Sequence, residues 1–394
     1  MSIMLGDICK FQSGGTPARG KAEYFNGSIP WITTTALTGG QIDANDAVDW
    51  ITEKAIKESS AKIIPQNSIM VGMRVGVGKV AINTVAMSTN QDIISLLEVD
   101  ESKWNKDFLC KYLQSKREYL NSQARGATIK GIKIDVLSKL IVPQISLEDQ
   151  RHISQAIDNV KRIIDFRKQE IRELDELIRA RFVEMFGDAV SNPMGWTVKK
   201  LKDLTVQINS GNTPKGGSEN YVNEGIIFFR SQNVWKDRLE MDDIAYIDAE
   251  THASMKRSSL KHGDILMTKT GRINTENSSL GRAALYMGED DKANVNGHVY
   301  FIRLKPEVNN KFILRILVSD EYRDLIRSVC VGGIDKRQLN KEHIEEFPII
   351  CPPSDMIDKY VAFAEQVNKS KVEVQKALDE TQKLFDSLMQ QYFG

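Results

Sequence analysis

The stretch from Glu148 to about Phe186 constrains the fold of this chain more than any other. Within it Ile153, Ile157, Val160, Ile164, Arg167, Ile171, Leu174, Ile178, Arg181 and Met185 recur at spacings that alternate between four and three. That is the a/d pattern of a helix whose apolar surface is one narrow seam. Charges of both signs flank the seam, as in Lys168-Gln169-Glu170 and Arg172-Glu173, and no Pro or Gly intervenes before Gly187. At ~1.5 Å per residue the helix would extend on the order of 55 Å. It is too long and too narrowly apolar for an ordinary core helix, and it needs a partner.

A second stretch, Asp355 to Phe393, offers one. Ile357, Tyr360, Ala364, Val367, Lys371, Val374, Leu378, Thr381, Phe385, Leu388 and Tyr392 repeat the spacing. Shifted by 207 positions (150 onto 357), Ile157 falls on Ala364, Leu174 on Thr381 and Ile178 on Phe385. One length and one register predict an intramolecular helix pair in that alignment. The alternative is two surface helices that each cover their own domain.

The rest of the chain is also duplicated. Ser13-Gly14-Gly15-Thr16-Pro17 returns 197 positions later (13 to 210) as Ser210-Gly211-Asn212-Thr213-Pro214. Each is preceded by a short apolar element, Leu5 to Ile8 or Leu201 to Leu204. Each is followed by a strand-like run, Ile29-Pro30-Trp31-Ile32-Thr33 or Ile226-Ile227-Phe228-Phe229-Arg230. Glycine loops then end apolar runs at Gly72–Lys79 and at Gly271–Arg282, and Asn90-Gln91-Asp92-Ile93-Ile94 matches Asn296-Gly297-His298-Val299-Tyr300. The offset has grown to 206 by then (90 to 296), which places an insertion near Asn274–Ser279 in the second copy. Each copy closes with a helix pattern, a basic glycine loop and an apolar strand leading to Pro143 or to Pro352-Pro353. These mixed short elements predict an α+β class. The boundaries fall at 1–147 for the first domain, 148–187 for the first long helix, 188–196 for a turn-rich linker, 197–353 for the second domain and 354–394 for the second helix.

Residue content excludes several function classes. Met1 to Lys10 lacks a basic segment followed by an apolar one, and no apolar run approaches the ~20 residues of a membrane span. Cys9, Cys110, Cys330 and Cys351 are scattered, with no paired spacing for a disulfide framework or a zinc site. A reduced, cytoplasmic chain without a membrane is expected. Phosphate-binding P-loop, zinc-protease and hydrolase-elbow motifs are missing, and Gly72 to Gly78 has the wrong spacing for a dinucleotide loop. The histidines have no ligand spacing, and an Asn/Asp-Pro-Pro-aromatic motif for methylating a base amine is absent, Cys351-Pro352-Pro353-Ser354 not fitting it. No catalytic or metal residue is assigned, and no cofactor is expected on this chain.

With 53 basic and 53 acidic residues the net charge is zero, so a polyanion site must be local or shared with a basic partner. Candidates recur in matching loops. In the first copy they are Thr16, Arg19, Lys21, Arg74, Lys79, Arg125 and Lys130. In the second they are Thr213, Lys215, Arg230, Lys269, Arg272, Arg282, Lys336 and Arg337. Small residues let a backbone approach phosphates, and Arg and Lys neutralise phosphates or read guanine edges. Taken singly each is more often a solvated charge, and Trp31 and Phe228 read as core anchors rather than stacking platforms.

The order of these motifs resembles the specificity subunits of type I restriction-modification systems over essentially the whole chain. The Ser-Gly-Gly-Thr-Pro and Ser-Gly-Asn-Thr-Pro segments, Ile29 to Ile32, Asn192-Pro193-Met194-Gly195-Trp196, Gln144 to Gln150 and Arg181 to Asp188 carry the resemblance. It implies two target recognition domains separated by an antiparallel coiled coil. Each domain would read half of a bipartite double-stranded DNA target, with the coil setting the gap. Two modification subunits would bring S-adenosylmethionine chemistry at adenine, and restriction subunits would bring ATP- and magnesium-dependent translocation and cleavage. One departure stands out: Cys351 to Ile357 replaces the usual glutamate-glutamine start of the second helix. The rival readings are a coiled-coil scaffold that binds no DNA and a cryptic nuclease or methyltransferase.

Overall fold

Fully buried strands organise both halves of the chain. Ile69–Gly72 and Val80–Asn83 in the first half, and Ile265–Thr268 in the second, are buried at every position. Apart from the Asn83 and Thr268 ends they carry no polar side chain, because both of their faces are covered. The computed structural model describes residues 2–126, 128–214, 216–273, 275, 277–333 and 336–394. The chain divides into two units, residues 1–170 with 374–394, and residues 171–373.

In the first unit the central sheet runs in the order Lys10–Ser13, Ile93–Leu97, Ile69–Gly72, Val80–Asn83, Gln41–Ile42. Its pairings are antiparallel except for the last, an edge strand parallel to its neighbour. A second sheet sets Phe25–Ile32 parallel to Met87–Thr89, with Asp49–Ile51 and Ile63–Ile64 at its margins. A ribbon of Ser2–Met4 with Ile141–Pro143 closes the unit. The helix Lys106–Ser115 lays Phe108, Leu109, Tyr112 and Leu113 into the core. Phe393 packs on that helix, its ring 5.2 Å from Phe108 and 6.1 Å from Tyr112.

The second unit repeats this plan. Its central sheet is Thr205–Ser210, Val299–Leu304, Ile265–Thr268, Ala283–Leu285. Its second sheet again contains a parallel pair, Ile226–Phe229 with Ala293–Val295, and a ribbon of Val198–Lys200 with Pro348–Ile350 again closes it. The α+β class and the duplication therefore hold at the level of strand order. Phe182, Phe186, Phe312 and Tyr360 form an aromatic cluster with centroids 5.1 to 5.7 Å apart, four side chains each worth roughly 1.5–3 kcal/mol on burial.

The long helices are Leu147–Phe186 and Ser354–Phe393, 40 residues each. The first is capped by Ser146, whose hydroxyl oxygen accepts the Asp149 N–H at 3.0 Å. It stops at Gly187, which takes a left-handed φ of 75° and donates its N–H to the Val183 carbonyl at 2.9 Å. Every seam position read from the sequence is buried or half-buried in both helices. Inside the first unit Arg167 donates to the Ala377 carbonyl and the Thr381 hydroxyl. Inside the second, Lys371 pairs with Asp175, and the Tyr360 hydroxyl lies 3.5 Å from the Ile178 carbonyl. Residue numbers on one helix fall as those on the other rise, so the segments in contact run in opposite directions. The shift of 207 is thus the repeat equivalence of the helices and not their contact register. Heptad spacing identifies a face and is blind to direction.

Gln150 sits at the start of the first helix and is fully buried. Its amide donates to the Lys103 and Ile145 carbonyls at 2.9 and 3.1 Å, and its oxygen accepts the Asn105 N–H at 2.8 Å. The equivalent position in the second helix, Ile357, packs against that unit's apolar core. The departure at the second helix start therefore exchanges a buried amide anchor for a half-buried apolar one.

Candidate nucleic-acid interface

The Ser-Gly-X-Thr-Pro segments owe their glycine to a close approach. A Cβ on Gly14 would lie 2.1 Å from the Thr89 hydroxyl and 2.2 Å from the Asn90 carbonyl, and one on Gly211 would lie 1.8 Å from the Val295 carbonyl. Both segments are thereby pressed onto the turn that comes after the parallel strand, Asn90–Asp92 in one unit and Asn296–His298 in the other. In the first unit the Thr16 hydroxyl donates to the Gln91 side-chain oxygen. In the second, Thr213 is exposed beside Gly297 at the equivalent place.

The same turn receives the glycine loop. The Met73 N–H donates to the Asp92 carbonyl at 2.7 Å, and the Lys269 N–H to the His298 carbonyl at 2.8 Å. The basic closing loop then arrives alongside. In the first unit Arg125 and Gly131 form an isolated antiparallel bridge, and the Ile132 N–H donates to the Met73 carbonyl at 2.8 Å. In the second, Thr270–Gly271, Lys336–Gln338 and Val331–Gly333 make a small antiparallel sheet in which Gly271 faces Arg337. Each unit thus gathers three loops from distant parts of its sequence onto one edge. Thr16, Arg74 and Arg125 meet there in the first unit, with exposed Lys130 in the same hairpin. Thr213, Lys269, Arg272, Lys336 and Arg337 meet in the second.

In the first unit, charge distinguishes this edge from a second groove. A groove of about 790 Å³ in the first unit is lined by Ser13, Met73, Arg74, Gln91, Ile94, Gln123, Arg125, Ile129, Gly131, Ile132, Lys133, Ile134 and Val136. Three cations line it and no carboxylate does. Another groove of the same unit balances Asp107, Asp158 and Asp165 against Lys111, Lys161 and Lys168. In the second unit a small pocket of about 130 Å³, lined by Trp235, Lys236, Arg282 and Arg323 and by none of the five edge residues named above, also has no carboxylate. There Arg282 stacks on Trp235 at 3.8 Å, and Arg238 faces the same ring at 5.2 Å. Burial first, then the neighbouring Arg323 and Arg238, lowers the pKa of the Arg282 guanidinium from its ordinary value.

Other predicted residues are engaged elsewhere. Arg19 is ion-paired to Asp49 at 2.6 Å and lies over the rings of Phe25 and Trp31. Lys21 donates to the Tyr24 hydroxyl at 2.9 Å, and this bond is the main cause of its raised pKa. Arg230 pairs with Asp243 at 3.1 Å over Tyr221. Hydrogen bonds from Gln232 and Arg230 hold the Asp243 carboxyl below its usual range. Lys79 is half-buried at the strand turn that corresponds to Arg282 and does not line the first unit's groove. Lys215 lies outside the described residues. Trp31 and Phe228 are core residues, 3% and 0% exposed. Sequence reading missed Gln91, Lys133, His298, Trp235 and Arg323. The Asn-X-Asp and Asn-X-His match was the signal that would have found Gln91 and His298.

The architecture defines a protein in which one loop platform is built twice, once in each unit, and in which both long helices contribute residues to both units. Residues 1–176 and 193–384 match the family described as Type I restriction modification DNA specificity domain, and the chain belongs to that family. Among curated relatives, the type I restriction enzyme MjaIX specificity subunit of Methanocaldococcus jannaschii is 25% identical, covering 97% of this chain and 90% of that protein. The EcoR124I/EcoR124II specificity subunit of Escherichia coli is 31% identical over 39% of each chain. A solved S subunit from M. genitalium superposes with a TM-score of 0.57 at 14% identity, covering 100% of this chain and 96% of that one. A chain from a study of complex assembly and conformational transition of the type I R-M system reaches 0.63 at 16% identity, covering 100% and 97%.

Proposed function

We propose that this chain is the non-catalytic specificity subunit of a type I restriction-modification complex. Residues 1–147 and 197–353 act as target recognition domains, each reading one half of a bipartite double-stranded DNA target. Residues 148–187 and 354–394 form an antiparallel coiled coil that sets the gap and docks two modification subunits, with 188–196 as a linker. Those subunits hold S-adenosylmethionine, and restriction subunits hold ATP and magnesium, so the complex works in the cytoplasm. Among the described residues no cluster of three or more His, Cys, Asp or Glu is placed to hold a metal, and no helix is long and apolar enough to cross a membrane. The observation that carries the reading is the platform built twice, its first-unit groove carboxylate-free in a chain of zero net charge.

Exchanging residues of about 192–353 for the matching segment of a relative tests it. In the complex with modification subunits, methylated-adenine sequencing should show one half-site replaced and the other retained. A change in both half-sites together, or methylation without sequence preference, overturns the reading.

A further inference from the structure

We infer that Arg74 reads a guanine in the half-site taken by the first unit, using the two terminal nitrogens of its guanidinium. The inference rests on the DNA-reading role proposed above and assigns a base to one side chain.

Arg74 is anchored both at its Nε and along its stem. Its Nε donates to Asp92 Oδ1 at 2.9 Å, with the Arg74 side chain 47% and the Asp92 side chain 16% exposed. Asp92 is itself fixed, since the Asn90 amide donates to its carboxylate at 3.1 Å and the Asn90 oxygen accepts the Asp92 N–H at 3.2 Å. A longer bond of 3.5 Å runs from Arg74 Nη2 to the Gln91 carbonyl. The stem lies over Gly131, where a Cβ would come within 2.6 Å of Arg74 Cγ. Carboxylate, carbonyl and glycine therefore set the plane of the guanidinium.

Nε is occupied by Asp92 and one Nη2 hydrogen by the Gln91 carbonyl, which leaves a hydrogen on each of Nη1 and Nη2 as a fork, on a side chain that lines the groove. Two parallel donors match the O6 and N7 acceptors that guanine alone presents together in the major groove. A phosphate contact needs charge and little orientation. Arg125 and Lys133 line the same groove, and among the described residues their side chains have no comparable anchor, which suits phosphate binding. The second unit has Thr270 at the position of Arg74 and His298 at that of Asp92. The buttressed fork belongs to the first unit, so the two half-sites are read with different chemistry.

The test uses the complex with modification subunits on a randomised DNA library, with motifs obtained by sequencing methylated adenines. The domain exchange above identifies which half-site belongs to the first unit. That half-site should contain a fixed G·C pair. Arg74→Ala and Arg74→Lys should both relax that position, discrimination falling about 10- to 100-fold, while the second half-site stays unchanged. Asp92→Asn should give a smaller relaxation at the same position. The inference is overturned if Arg74→Lys keeps full discrimination, if every sequence weakens equally, or if the half-site lacks a G·C pair. A wild-type complex with no bipartite preference would instead remove the functional reading itself.

Discussion

Asp264 illustrates how the fold is fastened at single residues. Its side chain is 1% exposed, and Arg303 meets it with two parallel bonds, Nε to Oδ1 at 2.9 Å and Nη2 to Oδ2 at 2.7 Å. The carboxylate also accepts the Lys261 N–H at 2.8 Å, and Arg303 Nη2 donates to the Ser259 carbonyl at 3.0 Å. A buried pair adds little over apolar packing, but removing one partner strands a charge at a cost of about 3–5 kcal/mol. Arg303→Leu should therefore destabilise the second unit by that amount in urea unfolding, and a loss below about 1 kcal/mol would contradict the buried-charge account. The pair was invisible in the sequence because its members, 39 positions apart, meet only once Ile265 is registered on Ile302. The same limit applied to the basic loops. Arg19 and Arg230 had the right type and position, but their partners Asp49 and Asp243 come from other segments. Arg74 was legible as a loop cation, whereas its anchor Asp92 depends on how two turns meet.

Helices were more legible than sites because their signal is local. The seam of four and three needs no tertiary knowledge, and Gly187 marks its end through a conformation that L side chains rarely adopt. Beyond Gly187 the chain closes into an ordered loop. The Trp196 indole donates to the Phe186 carbonyl at 3.0 Å, and Asn192 exchanges two bonds with the Trp196 backbone. A Cβ on Gly187 would stand 2.8 Å from Pro193 Cγ, whereas Gly195, also left-handed at 69°, has nothing within 4 Å. Gly195→Ala isolates the backbone strain, roughly 1–2 kcal/mol. Gly187→Ala should cost that plus the displacement of Pro193. Urea unfolding of both variants checks the order, and equal losses would mean that the proline contact contributes nothing. The spacing alone left the direction of the helix pair open, because direction rests on cross-helix contacts such as Arg167 with Thr381; the family resemblance supplied the antiparallel arrangement.

The chain crosses between its two units at only two points, after Glu170 and after Glu373, and both lie inside the long helices. Each crossing is flanked by a cross-helix contact, Arg167 with Ala377 on one side and Asp175 with Lys371 on the other. One heptad inserted at both crossings should keep the seam in phase, since seven residues restore the a/d positions. Each residue adds ~1.5 Å of helix, so the insertion adds roughly 10 Å, about three base pairs at ~3.4 Å each. Three base pairs also turn the duplex by ~100°, given ~10.5 per turn, and the assembled complex must absorb that rotation. If the helices set the gap, the modified complex should keep both half-site sequences and recognise them about three base pairs further apart. A heptad in one helix alone should bulge the seam and reduce assembly with modification subunits. Methylated-adenine sequencing reads the first outcome and size-exclusion chromatography the second. An unchanged gap after the paired insertion would show that something other than helix length measures the distance between half-sites.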